Sequence, residues 1–114
     1  MPSLRLEKVN ELIRREIGSV MLREVEMPKG ALATITRVEA ESDLKTAKIF
    51  LKIFPQQGAK AGLEHIRKRA GAIQHALNRR LAMRFVPQLS FYFDTQKDNP
   101  DDENDVEKIL DSLK

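Results

Sequence analysis

His65 and His75 are the only histidines, and the chain has no cysteine. Ten residues apart on one straight helix, they are separated by about 15 Å of rise, too far to share a metal ion. They read as surface histidines on a basic helix. Asp43 and Asp94 stand singly at strand boundaries, where turn and capping roles are the default. Asp101, Asp102, Glu103 and Asp105 lack the glycine and the spacing of a calcium loop. The glycines at 18, 30, 58, 62 and 71 match no phosphate-cradling motif. No catalytic, metal or cofactor site is expected, and the protein is read as no enzyme. The chemistry on offer is cationic. Arg67, Lys68 and Arg69 are contiguous, and after an Ala70-Gly71-Ala72 break come Arg79, Arg80 and Arg84. A bend at the break would bring both groups around one concave phosphate site, with helix N-terminal amides as further donors. The plainer reading is a solvated basic surface.

The charge distribution favours the first reading. Residues 1–93 carry 17 Lys+Arg and 9 Asp+Glu, a balance of +8, whereas residues 94–114 carry 3 and 8, a balance of −5. A basic body attracts polyanions, largely by releasing counterions from a phosphate backbone. Two further sets add to it: Lys45, Lys48 and Lys52 in a strand region, and Arg14 and Arg15 on the first helix. At 114 residues the chain suits one domain with one core and no disulfide or metal staple. The lack of cysteine fits a reducing cytoplasm. Charges in Met1-Pro2-Ser3-Leu4-Arg5-Leu6-Glu7 interrupt any signal peptide. No apolar run approaches the ~18 residues of a membrane span. A cytoplasmic protein without a membrane partner is expected.

These cations must be positioned by helices and strands. Leu6, Val9, Ile13, Ile17, Val20 and Met21 recur at helical spacing and predict a helix over 3–25, broadened by Leu12 and capped by Ser3. Pro28 and Gly30 end it. Residues 32–40 and 44–54 predict two strands joined at Ser42-Asp43, because Ala47, Ile49, Leu51 and Ile53 alternate with Lys48, Phe50, Lys52 and Phe54. Residues 55–62 read as a loop. Helical spacing resumes through Leu63, Ile66 and Ala70, and past Gly71 through Ile73, Ala76, Leu77 and Leu81. Pro87 stops that run, and Leu89, Phe91 and Phe93 alternate as a third strand. A body over 1–94 is followed by an acidic tail over 95–114, where Val106, Ile109, Leu110 and Leu113 suggest a short helix. The expected fold is α+β, with helices on one face of a small sheet.

The aromatics divide by phase. Phe91 and Phe93 share a phase with Leu89 and read as core rather than as a platform for RNA bases. Tyr92, on the opposite phase, is the one aromatic expected at the surface. Phe50 and Phe54 share a face with lysines and fit either place.

Three segments, in order, resemble one family. Val38-Glu39-Ala40-Glu41-Ser42-Asp43-Leu44-Lys45-Thr46-Ala47-Lys48-Ile49-Phe50 resembles the hairpin motif of bacterial ribosome-binding factor A. Met83-Arg84-Phe85-Val86-Pro87-Gln88-Leu89-Ser90-Phe91-Tyr92-Phe93-Asp94 resembles its last-strand motif. Lys8-Val9, Arg15-Glu16-Ile17, Arg23-Glu24-Val25 and Pro28 fit its first helix. The resemblance runs from about residue 5 to 94. It implies a type II KH-like fold, ordered helix, hairpin, kinked helix pair and strand. In that family an Ala-x-Gly kink replaces the usual Gly-x-x-Gly loop. The corresponding residues here are Arg69, Ala70 and Gly71, with arginine at the alanine position, and Met27 stands where aspartate is usual.

By resemblance, the protein would bind the small ribosomal subunit and its rRNA, as free subunits rather than full ribosomes. It would assist late rRNA maturation, including leader processing and growth in the cold. No cofactor or small-molecule substrate is implied, and a monomer is expected. The competing class is a helix-turn-helix DNA-binding regulator reading bases with the second helix of the pair. Against it, Ile73, Ala76, Leu77 and Leu81 commit much of that helix to a core.

Overall fold

Apolar residues three and four apart form helix α1, Leu4–Glu24, in the computed structural model, which describes residues 4–95. Its buried stripe is Val9, Ile13, Ile17, Val20 and Met21, with Leu6 and Leu12 partly buried beside it. The expected cap, Ser3, and the tail from residue 96 on, where a short helix is expected, lie outside the described residues. Pro28 and Gly30 turn the chain as expected. Ala31 N–H bonds the Pro28 carbonyl at 2.9 Å, and Gly30 takes φ 83°, a conformation open to glycine.

Strands β1 (Leu32–Ala40) and β2 (Thr46–Phe54) pair antiparallel, and β3 (Gln88–Phe93) joins β2 in parallel, in the order β1-β2-β3. Between the first two, Asp43 Oδ1 accepts the Lys45 N–H at 2.9 Å, and Leu44 N–H bonds Glu41 O at 2.8 Å. Leu44 is left-handed, at φ 60°, so β2 starts at Thr46 and not at residue 44 as expected. Ala47, Ile49, Leu51 and Ile53 of β2, with Leu89 and Phe91 of β3, are buried beneath the helices. Lys48, Phe50, Lys52 and Tyr92 take the opposite phase and form an open face.

Helices α2 (Ala59–Lys68) and α3 (Ala70–Arg80) cover the sheet together with α1. Helix α2 begins inside the segment expected to be loop. Its buried face is Ala59, Gly62, Leu63 and Ile66, a helical spacing whose first two members are too small to register as hydrophobic.

The break between α2 and α3 falls at Arg69 (φ −95°, ψ 8°), the first residue of the Arg69-Ala70-Gly71 kink that the resemblance implies and two before the glycine. Gly71 lies inside α3 and is exposed, and an added Cβ there would meet nothing within 4 Å. The close approach is instead at Gly62, where a Cβ would lie 3.2 Å from Met27 Cε and 3.3 Å from Ile53 Cδ1. Gly71→Ala is therefore expected to stabilise the fold by up to about 1 kcal/mol, the helix-propensity difference. Gly62→Val is expected to cost about 1–3 kcal/mol through overpacking. Urea unfolding of both variants checks the pair, and a destabilised Gly71→Ala would return the steric constraint to Gly71.

Strand β3 lies at the sheet's edge, and its outer backbone groups are met by side chains of the helix pair. Gln74 Nε2 donates to Pro87 O at 3.1 Å, and Gln74 Oε1 accepts the Leu89 N–H at 2.8 Å. Arg67 donates to Phe91 O from Nε at 3.0 Å and Nη2 at 2.5 Å. Uncovered edges invite pairing with other chains. Gln74→Ala leaves two partly buried groups unmet and is expected to cost about 1–3 kcal/mol, read from the unfolding midpoint. A variant as stable as the parent would show that water replaces the amide at no cost.

At the other end of β3, Asp94 reaches across β2. The ladder slips between Ile35 and Arg37 of β1, and the Thr36 hydroxyl at that bulge donates to Asp94 Oδ2 at 2.5 Å. Arg37 Nε lies 3.6 Å from Asp94 Oδ1, and the Asp94 side chain is only 3% exposed. Asp94 therefore ties the last strand to the first, a larger role than the turn or cap expected of it.

Candidate nucleic-acid interface

The predicted cations do not gather in one concave site. Helix α3 separates them, and its 11 residues hold the Arg69 end about 16 Å from the Arg79–Arg80 end. Several are bound within the fold. Arg67 holds the β3 edge. Arg69 donates from Nε to Glu24 O at 2.9 Å, with Nη2 3.6 Å from the Glu24 carboxylate. That arginine staples the helix junction to the C-terminus of α1, where a cation is favoured by the helix dipole. Arg80 pairs with Glu16 at 3.2 Å and Arg14 with Glu11 at 3.4 Å. His65 Nε2 lies 2.9 Å from Glu26 O. A carbonyl only accepts, so that nitrogen carries the proton, and His65 links α2 to the segment after α1.

Lys68, Arg79, Arg15, Lys45 and Arg84 are exposed and hold no carboxylate partner among the described residues. Lys45 and Arg84 converge. With Arg5, they line an open groove of about 740 Å³ between the start of α1, the hairpin turn and the α3–β3 loop. Met83, Phe85 and Val86 supply its apolar wall, and Asp43 adds one carboxylate. Phe85 is 75% exposed, with the Arg84 guanidinium 5.5 Å from its ring centroid. Three cations beside an exposed ring can hold phosphates and stack a base or ribose.

Arg5 and Phe85 were not singled out in the sequence. Arg5 precedes the groove by some 80 positions, and Phe85 carried no periodicity to mark it. Lys48 and Lys52 lie apart, on the open sheet face. A second depression, near the helix junction, is lined by Arg23, Lys29, His65 and Arg69, but Glu24 and Glu26 also line it and weaken its pull on anions.

The helix-turn-helix alternative fails on geometry. One residue, Arg69, separates α2 from α3, where that motif uses a turn of about 3–4 residues. The second helix commits Ile73, Ala76 and Leu77 to the core. Among the described residues, no three metal-ligating side chains cluster, and no helix is long and apolar enough to cross a membrane.

The model of the family described as "Ribosome-binding factor A" matches residues 5–110, well beyond Asp94, where the motif resemblance stops. A ribosome-binding factor A from Akkermansia muciniphila is 40% identical over 92 residues, covering 81% of this chain and 73% of that protein. The crystal structure of ribosome-binding factor A from Thermus thermophilus superposes with a TM-score of 0.63 at 19% identity, covering 76% of this chain and 93% of that one. A second Thermus thermophilus chain, fitted as ribosome-binding factor A into a cryo-EM map of a 30S complex, gives a TM-score of 0.60 at 24% identity over 72% and 87% of the two chains. The expected type II KH-like arrangement, helix, hairpin, kinked helix pair and last strand, is the one found, and that strand pairs in parallel with β2. By sequence match along nearly its whole length, and by fold, the chain belongs to the ribosome-binding factor A family.

Proposed function

We propose that this protein binds the small ribosomal subunit through its rRNA and assists late maturation of that RNA by binding rather than by bond cleavage. The observation that carries the reading is the basic groove of Arg5, Lys45 and Arg84 around exposed Phe85, in a chain of this family. Support for the partner comes from the Thermus thermophilus relative fitted into a 30S complex. The protein acts as a cytoplasmic monomer on free subunits. It stabilises one rRNA arrangement over another, including at the precursor's leader end. Such a binder shifts an equilibrium only by its differential affinity for the two states. Misfolded duplexes are escaped more slowly in the cold, so growth there depends on it most. Sedimentation of cell extract through a sucrose gradient tests the reading. Co-migration with free small subunits is expected, and migration with DNA or with no large particle would overturn it.

A further inference from the structure

The open face of the sheet carries a second feature, formed by residues that do not line the groove. Tyr92 is 38% exposed there, on the side away from the helices. Its neighbours across the ladder are Phe50, directly opposite, and the Ser90–Lys48 pair. The Phe50 and Tyr92 rings lie 6.0 Å apart and tilted by 34°. Phe50 is covered: the Arg37 guanidinium sits 3.8 Å from its centroid. Over the Tyr92 ring the cations stand farther off. Lys48 Nζ approaches its centroid to 5.8 Å, and the Arg67 guanidinium to 5.6 Å. Arg67 uses two of its five N–H donors on Phe91 O, which leaves the others for a phosphate. The nearby carboxylates are engaged: Glu39 pairs with Arg37, and Asp94 with Thr36 and Arg37. The patch is thus an exposed aromatic ring between two cations, with Glu39 across the ladder from Lys48 but paired to Arg37.

We propose that this face binds an unpaired stretch of RNA, one base stacked on Tyr92 and the flanking phosphates held by Lys48 and Arg67. The inference rests on the RNA-binding reading above and adds to it a second, single-strand-selective contact. The selectivity has a steric cause. Bases in a duplex have their faces covered by their neighbours, so a flat ring on a sheet reaches only unstacked ones. Every base presents a π-face, so the contact is tolerant of sequence. The groove and this face are lined by different residues, and one molecule can engage two segments of a folding rRNA.

The test uses the full chain and its own fluorescence, since Tyr92 is the only tyrosine and there is no tryptophan. Short oligouridine is expected to quench tyrosine emission saturably, after correction for absorbance. An RNA duplex of equal length and inorganic tripolyphosphate are expected to leave it nearly unchanged. Lys48→Ala is expected to raise the oligouridine concentration needed. In subunit binding, Tyr92→Ala is expected to weaken affinity about tenfold, the scale of one stacked base, and Tyr92→Phe to restore it. Equal quenching by duplex or tripolyphosphate, or no quenching at all, overturns the proposal. So does a Tyr92→Ala variant that is folded and binds subunits as the parent does. Loss of subunit co-sedimentation by the parent, with oligouridine quenching intact, would instead overturn the ribosomal reading and leave this site standing.

Discussion

Asp94→Ala is expected to lower the free energy of unfolding by about 2–4 kcal/mol, one of the two largest effects foreseen for a single structural feature of this fold. The carboxylate is almost wholly buried, accepts a short bond from Thr36, and faces Arg37. Truncation removes both interactions at once and leaves the buried Arg37 Nε, which has no hydrogen-bond partner, without its counter-charge. The cost stays below that of a fully buried pair, because Arg37 is partly exposed and still reaches Glu39. Asp94→Asn retains an acceptor for Thr36 and should lose only part of the stability. Urea denaturation orders the three proteins as parent, Asn variant, Ala variant. An alanine variant within about 0.5 kcal/mol of the parent, the scale of a neutral surface change, would mean that Asp94 does not tie β3 to β1.

The second large effect concerns the grip on RNA. Replacing Lys45, Arg79 and Arg84 together with alanine is expected to weaken small-subunit binding and to flatten its salt dependence. Each lost phosphate contact removes about 0.7–0.9 from the slope of log affinity against log salt, so three contacts remove about 2–3. None of these three is held by a carboxylate within the described fold. Arg80→Ala alone serves as the contrast. Its partner Glu16 already neutralises it, so the slope should hardly move, and a partly exposed pair of this kind contributes only about 0–1 kcal/mol to stability. A folded triple variant with an unchanged slope would remove the groove from the interface.

The α+β fold and its element order were legible because they rest on local repeats. Val9, Ile13 and Ile17 mark one face of a helix, and Ala47, Ile49 and Leu51 mark one face of a strand, whatever the rest of the chain does. Tyr92 was expected at the surface and Phe91 in the core by the same alternation, and both lie there. Errors came where local signals are weak. Ala59 and Gly62 bury a helix face without looking hydrophobic, so the start of α2 was read as loop. Gly71 looked like a hinge because glycine disfavours helices, but the chain breaks at Arg69, where that side chain fastens to the end of α1.

The candidate site was legible only as a set of charges. Sequence alone marked a basic body, a cation-rich helix pair and the motifs of a ribosome-binding family, since residue type and spacing are local properties. Tertiary structure decided which of those cations are engaged within the fold. Arg67 meets Phe91 at a separation of 24 residues, Arg69 meets Glu24 at 45 and Arg80 meets Glu16 at 64. Arg5, Lys45 and Arg84 come together from three distant segments. A cation's part in the fold or at a surface depends on what packs beside it, and only the closed chain brings residues so far apart in sequence within reach of one another.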